Sequence, residues 1–316
     1  MVITGASSGL GRAAALEFTR HGARLVLAAR RAKDLEDTAQ MCRAAGGEAV
    51  VVVADVTSEE AMKRLGSEAC KAFGHIDVWV NNAGVTLFAP LTEGPFDEHR
   101  RVIETNLFGS MLGAREAIPR FRAQGHGILI NVGSVLSKVG QPFVPSYCAS
   151  KFGIRGFTEA LQSELADEPT IRVCSIYPFA LNTPHFQVGA NAIGRRVRAM
   201  PPMQTPEKVA IALVGLALRP RREVYVPSYI TLGIALSAIV PSIAERLLLR
   251  ALKRWHFDSG IQHLTAGNLY KPVETGKATV HGKRGPQLTT LSFVLWSAAE
   301  LLNMAADSFR APARLR

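Results

Sequence analysis

Tyr147 and Lys151, four residues apart, have side chains that can exchange a proton with a bound molecule. They stand at the start of a segment whose apolar residues recur at helical spacing, so both project from one face of the predicted helix. A free tyrosine titrates at about pH 10, and a nearby ammonium group lowers that pKa. The pair predicts a tyrosine that acts as general acid or base, although a YxxxK spacing alone also arises by chance.

Ser134 offers a hydroxyl group that can hydrogen-bond a substrate carbonyl. It follows a predicted strand at residues 127–132 and should therefore lie at the carboxyl end of the sheet, where open α/β sheets bind ligands. This position strengthens the interpretation of Tyr147 and Lys151 as part of a site.

A glycine-rich turn, TGASSGLG at residues 4–11, links the first predicted strand to a helix that begins near Arg12. Gly5 permits the tight turn, Gly9 lets backbone amides approach a pyrophosphate, and Gly11 lets the helix pack closely on the strand. A glycine motif alone is weak evidence. The strand before it and the helix after it favour a dinucleotide site.

Ala28-Ala29-Arg30-Arg31 stands where many dinucleotide sites have an acidic residue that binds the ribose hydroxyls. A carboxylate there would repel a 2′-phosphate, whereas an arginine can bind it with charge-assisted hydrogen bonds. We therefore expect NADP(H) rather than NAD(H), with Arg30 at the 2′-phosphate. The alternative is that Arg30 and Arg31 are exposed charges at a strand end.

Short apolar runs alternate with helix-length amphipathic segments up to about residue 226. The predicted strands are residues 1–3, 24–28, 49–53, 78–80, 127–132, 172–177 and 223–226, and the predicted helices are residues 11–21, 33–45, 59–73, 96–121, 147–166 and 206–218. This alternation predicts an α/β protein with a doubly wound Rossmann fold, a seven-stranded parallel sheet with helices on both faces. We assign it to residues 1–228, followed by a basic, mainly helical C-terminal extension at 229–316.

The first predicted strand has only three residues before the glycine turn, whereas strands usually have about five or six. Because this strand should be the centre of the sheet, we expect translation to begin upstream of Met1.

Length and composition exclude several classes of protein. The chain has 316 residues, 47% hydrophobic and 20% charged, which is typical of a globular protein. No apolar run reaches the roughly 18 to 20 uncharged residues that a spanning helix needs. Four separated cysteines without CxxC spacing or clustered histidines predict neither disulfides nor a metal site, and they indicate a reducing, cytoplasmic setting. We expect no secretory signal.

The net charge of +11 is concentrated late in the chain. Residues 1–179 contain 19 basic and 19 acidic residues, whereas residues 180–316 contain 18 and 7. Such asymmetry is typical of a basic appendage that binds phosphates, nucleic acid or anionic lipid, or of a solvated face. Because the tail lacks interleaved aromatic residues and a known motif, we expect no nucleic-acid partner.

Residues 241–257 predict a basic amphipathic helix, since Ile243, Leu247, Ala251 and Trp255 recur every fourth position beside a basic stripe. Residues 229–240 contain no charged residue, and Glu300 is the only charged residue in 288–306. Two interpretations stay open: peripheral membrane contact, or packing against the main domain or a partner subunit to close the pocket.

In combination, these motifs resemble the short-chain dehydrogenase/reductase family over about residues 1–226. The matching features, in order, are TGASSGLG at 4–11, Asp55-Val56, NNAG at 81–84, Asn106, Ser134, Tyr147 and Lys151.

The resemblance implies a role for each matching residue. Tyr147 would be the general acid/base, Ser134 would orient the substrate oxygen, and Lys151 would bind the nicotinamide ribose and tune Tyr147. Asn106 would bend its helix to hold a water in a proton relay, and Asp55 would hydrogen-bond the adenine. The other implied cofactor contacts are Gly5, Ser7, Ser8, Gly9, Leu10, Gly11, Val56, Asn82, Ala83, Gly84, Pro178 and Thr183.

The substrate side departs from the family pattern, because Phe179 follows Pro178 where the family often has glycine. Some NADP(H)-dependent relatives also have a basic residue where Ser8 stands. The resemblance implies a mobile lid at residues 185–204, and Leu136, Phe143, Val144 and Phe179 could form an apolar wall. We expect an apolar ketone, aldehyde or secondary alcohol, although Arg195, Arg196 and Arg198 could instead bind an acidic substrate or be solvated lid charges.

The sequence thus predicts NADP(H)-dependent carbonyl reduction or alcohol oxidation. The alternative is a dinucleotide-binding sensor or membrane-associated scaffold that uses the same fold without turnover. The resemblance also implies a homodimer or homotetramer that pairs through the helices at 96–121 and 147–166.

Overall fold

The computed structural model describes residues 1–273, 279–282 and 289–310. Its strands, in chain order, are β1 Val2–Thr4, β2 Leu25–Ala29, β3 Ala49–Val53, β4 Val78–Asn81, β5 Leu87–Phe88, β6 Gly127–Val132, β7 Ile171–Pro178, β8 Ala190–Asn191, β9 Arg195–Val197, β10 Glu223–Val226 and β11 Phe257–Ile261. All seven predicted strands are present, within one residue of their predicted ends.

The helices, in chain order, are α1 Gly9–Arg20, α2 Ala32–Ala44, α3 Glu59–Phe73, α4 Phe96–Ile103, α5 Gly109–Gln124, α6 Pro145–Glu164, α7 His185–Val188, α8 Pro206–Leu218, α9 Ile230–Ile239, α10 Pro241–Ala251 and α11 Thr290–Arg310. Two π-helical turns occur as well, at Glu104–Phe108 and Leu252–His256. Among the described residues, no helix combines the length and apolarity needed to cross a membrane.

Seven parallel strands form the main sheet in the order β10-β7-β6-β4-β1-β2-β3. The chain winds outward from β1 in both directions, so β1 and β4 mark the point at which strand order reverses. This confirms the predicted doubly wound Rossmann fold and the central place of the three-residue β1. Ligands bind at such a switch point, at the carboxyl ends of the strands.

Apolar side chains bury both faces of the sheet. On one face Ile3 and Leu27 pack with α1 and α8, and on the other Val2 and Trp79 pack with α3 and α5. Because both faces are covered, β1 and β2 are buried at every position rather than at alternate ones. This packing holds the carboxyl edge rigid for the site.

The predicted helix at 96–121 is divided into α4, a π turn and α5. The π turn adds one residue to the helical repeat and contains Asn106, whose side chain is fully buried. Hydrogen bonds of the Asn106 side-chain amide take the place of apolar packing at this turn. The spacing of apolar residues in the sequence did not show that the helix is interrupted here.

The extension is helical with one strand. The predicted helix at 241–257 ends as α10 and its following π turn, and Phe257 instead begins β11, which pairs antiparallel with β9. Lys253 and Arg254 stay exposed in the π turn, whereas Trp255 is buried. The predicted separation of an apolar and a basic stripe therefore holds only in part, because Ile243 is 40% exposed and Arg250 pairs with Glu300. Residues 274–278, 283–288 and 311–316 of the predicted extension lie outside the described residues.

Candidate active site

The glycine turn joins β1 directly to α1 and places the helix N-terminus at the carboxyl edge of the sheet. Gly5 has φ of 68°, in the left-handed region that glycine favours. A Cβ atom on Gly11 would lie 2.2 Å from the carbonyl oxygen of Gly5, so only glycine fits there. The turn therefore has the close backbone approach that was predicted, with the N–H groups of the first turn of α1 at its end.

The segment after β4 is hydrogen-bonded to this turn. The Thr4 hydroxyl accepts hydrogen bonds from the backbone N–H groups of Asn82, at 3.0 Å, and Ala83, at 3.1 Å. The Asn82 amide donates to the Thr4 carbonyl at 2.9 Å. These bonds bring Asn82, Ala83 and Gly5 together at the switch point, as the predicted cofactor contacts require.

Arg31, rather than Arg30, reaches the glycine turn. Its guanidinium donates to the hydroxyls of Ser8, at 2.8 Å, and Ser7, at 3.2 Å, and it also pairs with Asp34 at 2.6 Å. The Arg30 guanidinium turns to the extension and donates to the backbone carbonyls of residues 268–270. Arg31 is therefore better placed than Arg30 to meet a phosphate at this turn.

Asp55 lies beside these arginines and is strongly hydrogen-bonded. Its carboxylate accepts from the Thr57 backbone at 3.0 Å, the Thr57 hydroxyl at 2.8 Å and Arg101 at 2.8 Å. Burial raises the pKa of Asp55, but these hydrogen bonds and the charges of Arg101 and Arg30 outweigh burial and lower it overall. The carboxylate is held ionised and oriented at the edge of the cavity.

Tyr147, Ser134 and Lys151 come together at the carboxyl ends of β6 and β7. Ser134 caps a short turn that follows β6, and its side chain interacts with Tyr147 so as to lower the pKa of the phenol. The Lys151 ammonium donates to the Val132 carbonyl at 2.8 Å and lies 5.5 Å from the centre of the Tyr147 ring. One turn of α6 thus places the phenol and the ammonium on the same face, as their spacing predicts.

Burial sets the titration of this cluster. It raises the pKa of Tyr147 well above its ordinary value, against the hydrogen bond from Ser134 that lowers it, so the expected lowering by Lys151 is not seen. Burial also lowers the pKa of Lys151, to about 8. Tyr147 is therefore protonated at neutral pH, the state of a general acid.

Asn106 ties the site to its surroundings from the π turn. Its amide donates to the Val85 carbonyl at 3.0 Å and the Ser150 hydroxyl at 2.9 Å, and its oxygen accepts from the Val85 N–H at 2.8 Å. The bend at this residue agrees with the family pattern. Both N–H groups of the amide are engaged with protein atoms.

Thr183 lies against the glycine turn from the other side of the site. A Cβ atom on Gly9 would lie 3.3 Å from the Cβ of Thr183, so the two predicted cofactor contacts are neighbours. Pro178 ends β7 and Phe179 follows it on the cavity wall. These residues lie together although about 170 residues of sequence separate them from Gly9, because the strands are parallel.

A single cavity of about 1680 Å³ joins the glycine turn to Ser134 and Tyr147. Leu136, Val144 and Phe179 line it, as predicted for an apolar wall. Phe143 belongs to the same apolar cluster, but its ring packs edge-on against Phe257 at 5.0 Å. Within the described residues, no cluster of His, Cys, Asp and Glu could hold a metal ion.

The three arginines of the predicted lid contact β11. Arg196 and Arg198 pair with Asp258, and Arg195 lies over the Phe257 ring at 5.5 Å. Their charges therefore help to hold β9 against β11, which accounts for them without an acidic substrate.

The model of the short-chain dehydrogenase family matches residues 1–192, more than half of the chain. The chain belongs to this family. The match includes the glycine turn, NNAG, Asn106, Ser134, Tyr147 and Lys151, and the structure places Gly5, Asn82, Ser134, Tyr147 and Lys151 around one cavity.

Two curated relatives of this short-chain dehydrogenase show similarity beyond the motifs. The chain is 33% identical over 253 residues to an uncharacterized oxidoreductase, YxnA, of Bacillus subtilis, covering 78% of this chain and 70% of the relative. It is 37% identical over 224 residues to 3beta-hydroxysteroid dehydrogenase 1 of Eggerthella lenta, covering 69% of this chain and 85% of the relative.

A solved structure of a metagenomic short-chain oxidoreductase in complex with NADP is similar to this dehydrogenase, with a TM-score of 0.60 and 30% identity. The likeness covers 71% of this chain and 94% of the other. Much of the extension therefore has no counterpart in that structure.

Sequence reasoning missed His185 as part of the dehydrogenase site. Its ring lies 5.8 Å from that of Tyr147, and burial, together with the charge of Lys151, lowers its pKa to about 4. It also missed Arg101, which holds Asp55 and donates to the Leu269 carbonyl at 3.2 Å. Neither residue belongs to a motif, and only the tertiary contacts reveal them.

Proposed function

We propose that this short-chain dehydrogenase transfers a hydride between NADP(H) and an apolar carbonyl compound or secondary alcohol, with Tyr147 as general acid/base. The observation that carries the proposal is the position of Tyr147 beside Lys151 in a cavity that Ser134 also lines and that is continuous with the glycine turn.

The residues at the turn fit a phosphorylated dinucleotide. The close approach at Gly11 and the N-terminus of α1 offer backbone donors for a pyrophosphate, and Arg31 offers a guanidinium for a 2′-phosphate. The NADP in the similar metagenomic oxidoreductase supports the same cofactor. Asn82, Ala83, Asp55 and Thr183 would complete its contacts.

The bound nicotinamide would supply the hydride to the carbonyl carbon, or accept it in the reverse direction. Ser134 would hydrogen-bond the substrate oxygen and hold it at the phenol. Tyr147 would donate its proton to that oxygen during reduction and take it back during oxidation. Lys151 would position the phenol and bind the cofactor ribose, while Asn106 would fix the position of Ser150 and the β4 loop.

An apolar substrate is supported by the wall formed by Leu136, Val144 and Phe179. The similar enzyme of Eggerthella lenta is named a hydroxysteroid dehydrogenase, which agrees with an apolar secondary alcohol. We further propose a homodimer or homotetramer through α4–α5 and α6, where Phe108, Met111 and Phe152 are exposed apolar residues. A cytoplasmic location stays a prediction.

A panel of ketones, aldehydes and secondary alcohols, followed by NADPH absorbance, tests the function. Cofactor-dependent turnover that is lost in Tyr147→Phe would support it. Binding of NADPH without turnover of any compound would instead favour the sensor or scaffold alternative.

A further inference from the structure

The extension exposes apolar side chains on two helices. None of the 10 residues of α9 is buried, and Leu232 and Ile239 are 76% and 77% exposed. On α11, Leu291 and Leu295 are 68% and 62% exposed. We call these four residues, with Leu236 and Val294, the apolar platform.

The two helices start close together. The Tyr229 hydroxyl, just before α9, is 3.2 Å from the Thr290 hydroxyl at the start of α11. The inner side of α11 is anchored, because Trp296 packs against Trp255 with ring centres 4.4 Å apart. α11 is therefore apolar both inward and outward, and a helix that is apolar all round is normally covered on both sides.

The cavity opens within the platform. Its lining includes Ser134 and Tyr147 at one end and Leu232, Leu236 and Val294 at the other. Since these three platform residues are each at least half exposed, one cavity connects the platform with the phenol.

Basic residues lie beside α11. Lys253 and Arg254 are exposed in the π turn after α10, and the Arg254 guanidinium lies 5.9 Å from the ring centre of Trp255. Trp255 in turn contacts Trp296 on the inner side of α11, so the positive charge lies near the helix whose outer side carries Leu291 and Leu295. An apolar surface with basic neighbours is complementary to an anionic lipid bilayer.

We propose that the apolar platform docks into an anionic bilayer and that a lipid-soluble carbonyl or alcohol substrate enters the cavity from the lipid. A symmetric contact between two copies would bring the basic residues of both together, whereas a bilayer neutralises them. With 10 residues, α9 is about 15 Å long, half of the roughly 30 Å hydrocarbon core, so it lies in the interface. The choice of substrate rests on the proposed function, but the docking does not.

Co-sedimentation of the full chain with vesicles tests docking without any turnover. We expect pelleting with phosphatidylcholine vesicles that contain phosphatidylserine, weaker pelleting at high salt, and little with phosphatidylcholine alone. Ile239→Ser/Leu295→Ser should lower partitioning at least about tenfold. Lys253→Gln/Arg254→Gln should lower it about 25-fold, a factor of about five for each charge.

The controls are Met41→Ser/Leu91→Ser and Lys63→Gln/Lys71→Gln, which remove exposed apolar and basic side chains away from the extension. They should partition like the unchanged protein. Equal loss in test and control variants, or no pelleting with the serine-containing vesicles, would overturn the proposal. So would a larger assembly in solution that Ile239→Ser/Leu295→Ser dissociates, because a second copy would then cover the platform.

The route is tested by comparing a water-soluble ketone with a long-chain ketone carried in the same vesicles. Ile239 and Leu295 lie outside the cavity lining, so Ile239→Ser/Leu295→Ser should leave the first rate unchanged and lower the second about tenfold. If Ile239→Ser/Leu295→Ser reduced the vesicle-borne ketone as fast as the unchanged protein does, entry from the lipid would be overturned. If the unchanged protein turned over neither ketone, that result would count against the proposed function instead.

Discussion

The backbone N–H of Gly9, in the glycine turn, donates a 2.9 Å hydrogen bond to the carbonyl of Thr279 in the extension. The next residues along the extension stay close, because the Gly282 N–H donates to the Asn182 carbonyl at 3.2 Å. This part of the extension therefore contacts two of the regions predicted to bind the cofactor, the turn and the segment that contains Thr183.

A pyrophosphate at the turn would compete with Thr279 for the Gly9 N–H. We therefore expect NADPH binding to release residues 279–282, which would be seen as faster hydrogen exchange at Gly282. The amides of β6, behind the site, serve as an internal reference. Unchanged or slower exchange at Gly282 would show that the segment stays in place over the bound cofactor.

Tyr147→Phe should lower kcat for carbonyl reduction by about 10²- to 10⁴-fold, because the variant keeps the ring but loses the proton that the reaction needs. The dissociation constant for NADPH, measured by fluorescence, should stay nearly unchanged. Tyr270→Phe removes an exposed hydroxyl outside the cavity and should keep full turnover. Comparable turnover in both variants would contradict the role of Tyr147.

Arg31→Ala should raise KM for NADPH more than KM for NADH, because Arg31 contacts Ser7 and Ser8 of the glycine turn. Arg30→Ala should act less selectively, since its guanidinium binds carbonyls of residues 268–270. Steady-state kinetics with both cofactors measure the difference. If only Arg30→Ala raised KM for NADPH more than KM for NADH, Arg30 would bind the 2′-phosphate as the sequence predicts. Its hydrogen bonds to residues 268–270 would then have to break when the cofactor binds.

Acid should destabilise the protein partly through His256. Burial among Phe88, Phe186 and Phe257 lowers its pKa from 6.5 to about 4, against an opposing contact with the Arg198 backbone. The unfolded chain therefore binds this proton more readily, and the stabilisation present above about pH 6.5 is lost as pH falls towards 4. The loss would reach about 3 kcal/mol.

His256→Phe should make the fall of Tm between neutral and acidic pH shallower, as measured by calorimetry. His21→Phe, which removes an exposed ring at the end of α1, is the control and should keep the slope of the unchanged protein. An equal slope in all three proteins would mean that His256 takes up no proton at this pH, or that its environment opens before it does.

The Rossmann fold and the grouping of Ser134, Tyr147 and Lys151 were predictable from local information. Strand-helix alternation determines the sheet because each apolar strand must be covered on both faces, and the spacing of Tyr147 and Lys151 determines their shared helical face. The need for glycine at positions 5 and 11 was also predictable from the motif. Gly5 has a left-handed φ, and a Cβ atom on Gly11 would lie 2.2 Å from the Gly5 carbonyl oxygen.

Other features depend on contacts between residues far apart in sequence. Burial, which no spacing encodes, raises the pKa of Tyr147. Packing between distant segments likewise turns Arg30 to residues 268–270 and places His185 beside Tyr147. The sequence alone also showed an apolar and basic extension, with packing and membrane contact both open. Only the tertiary structure decided which side of each helix is covered, because a helix that is apolar all round has no sequence period to mark its buried face.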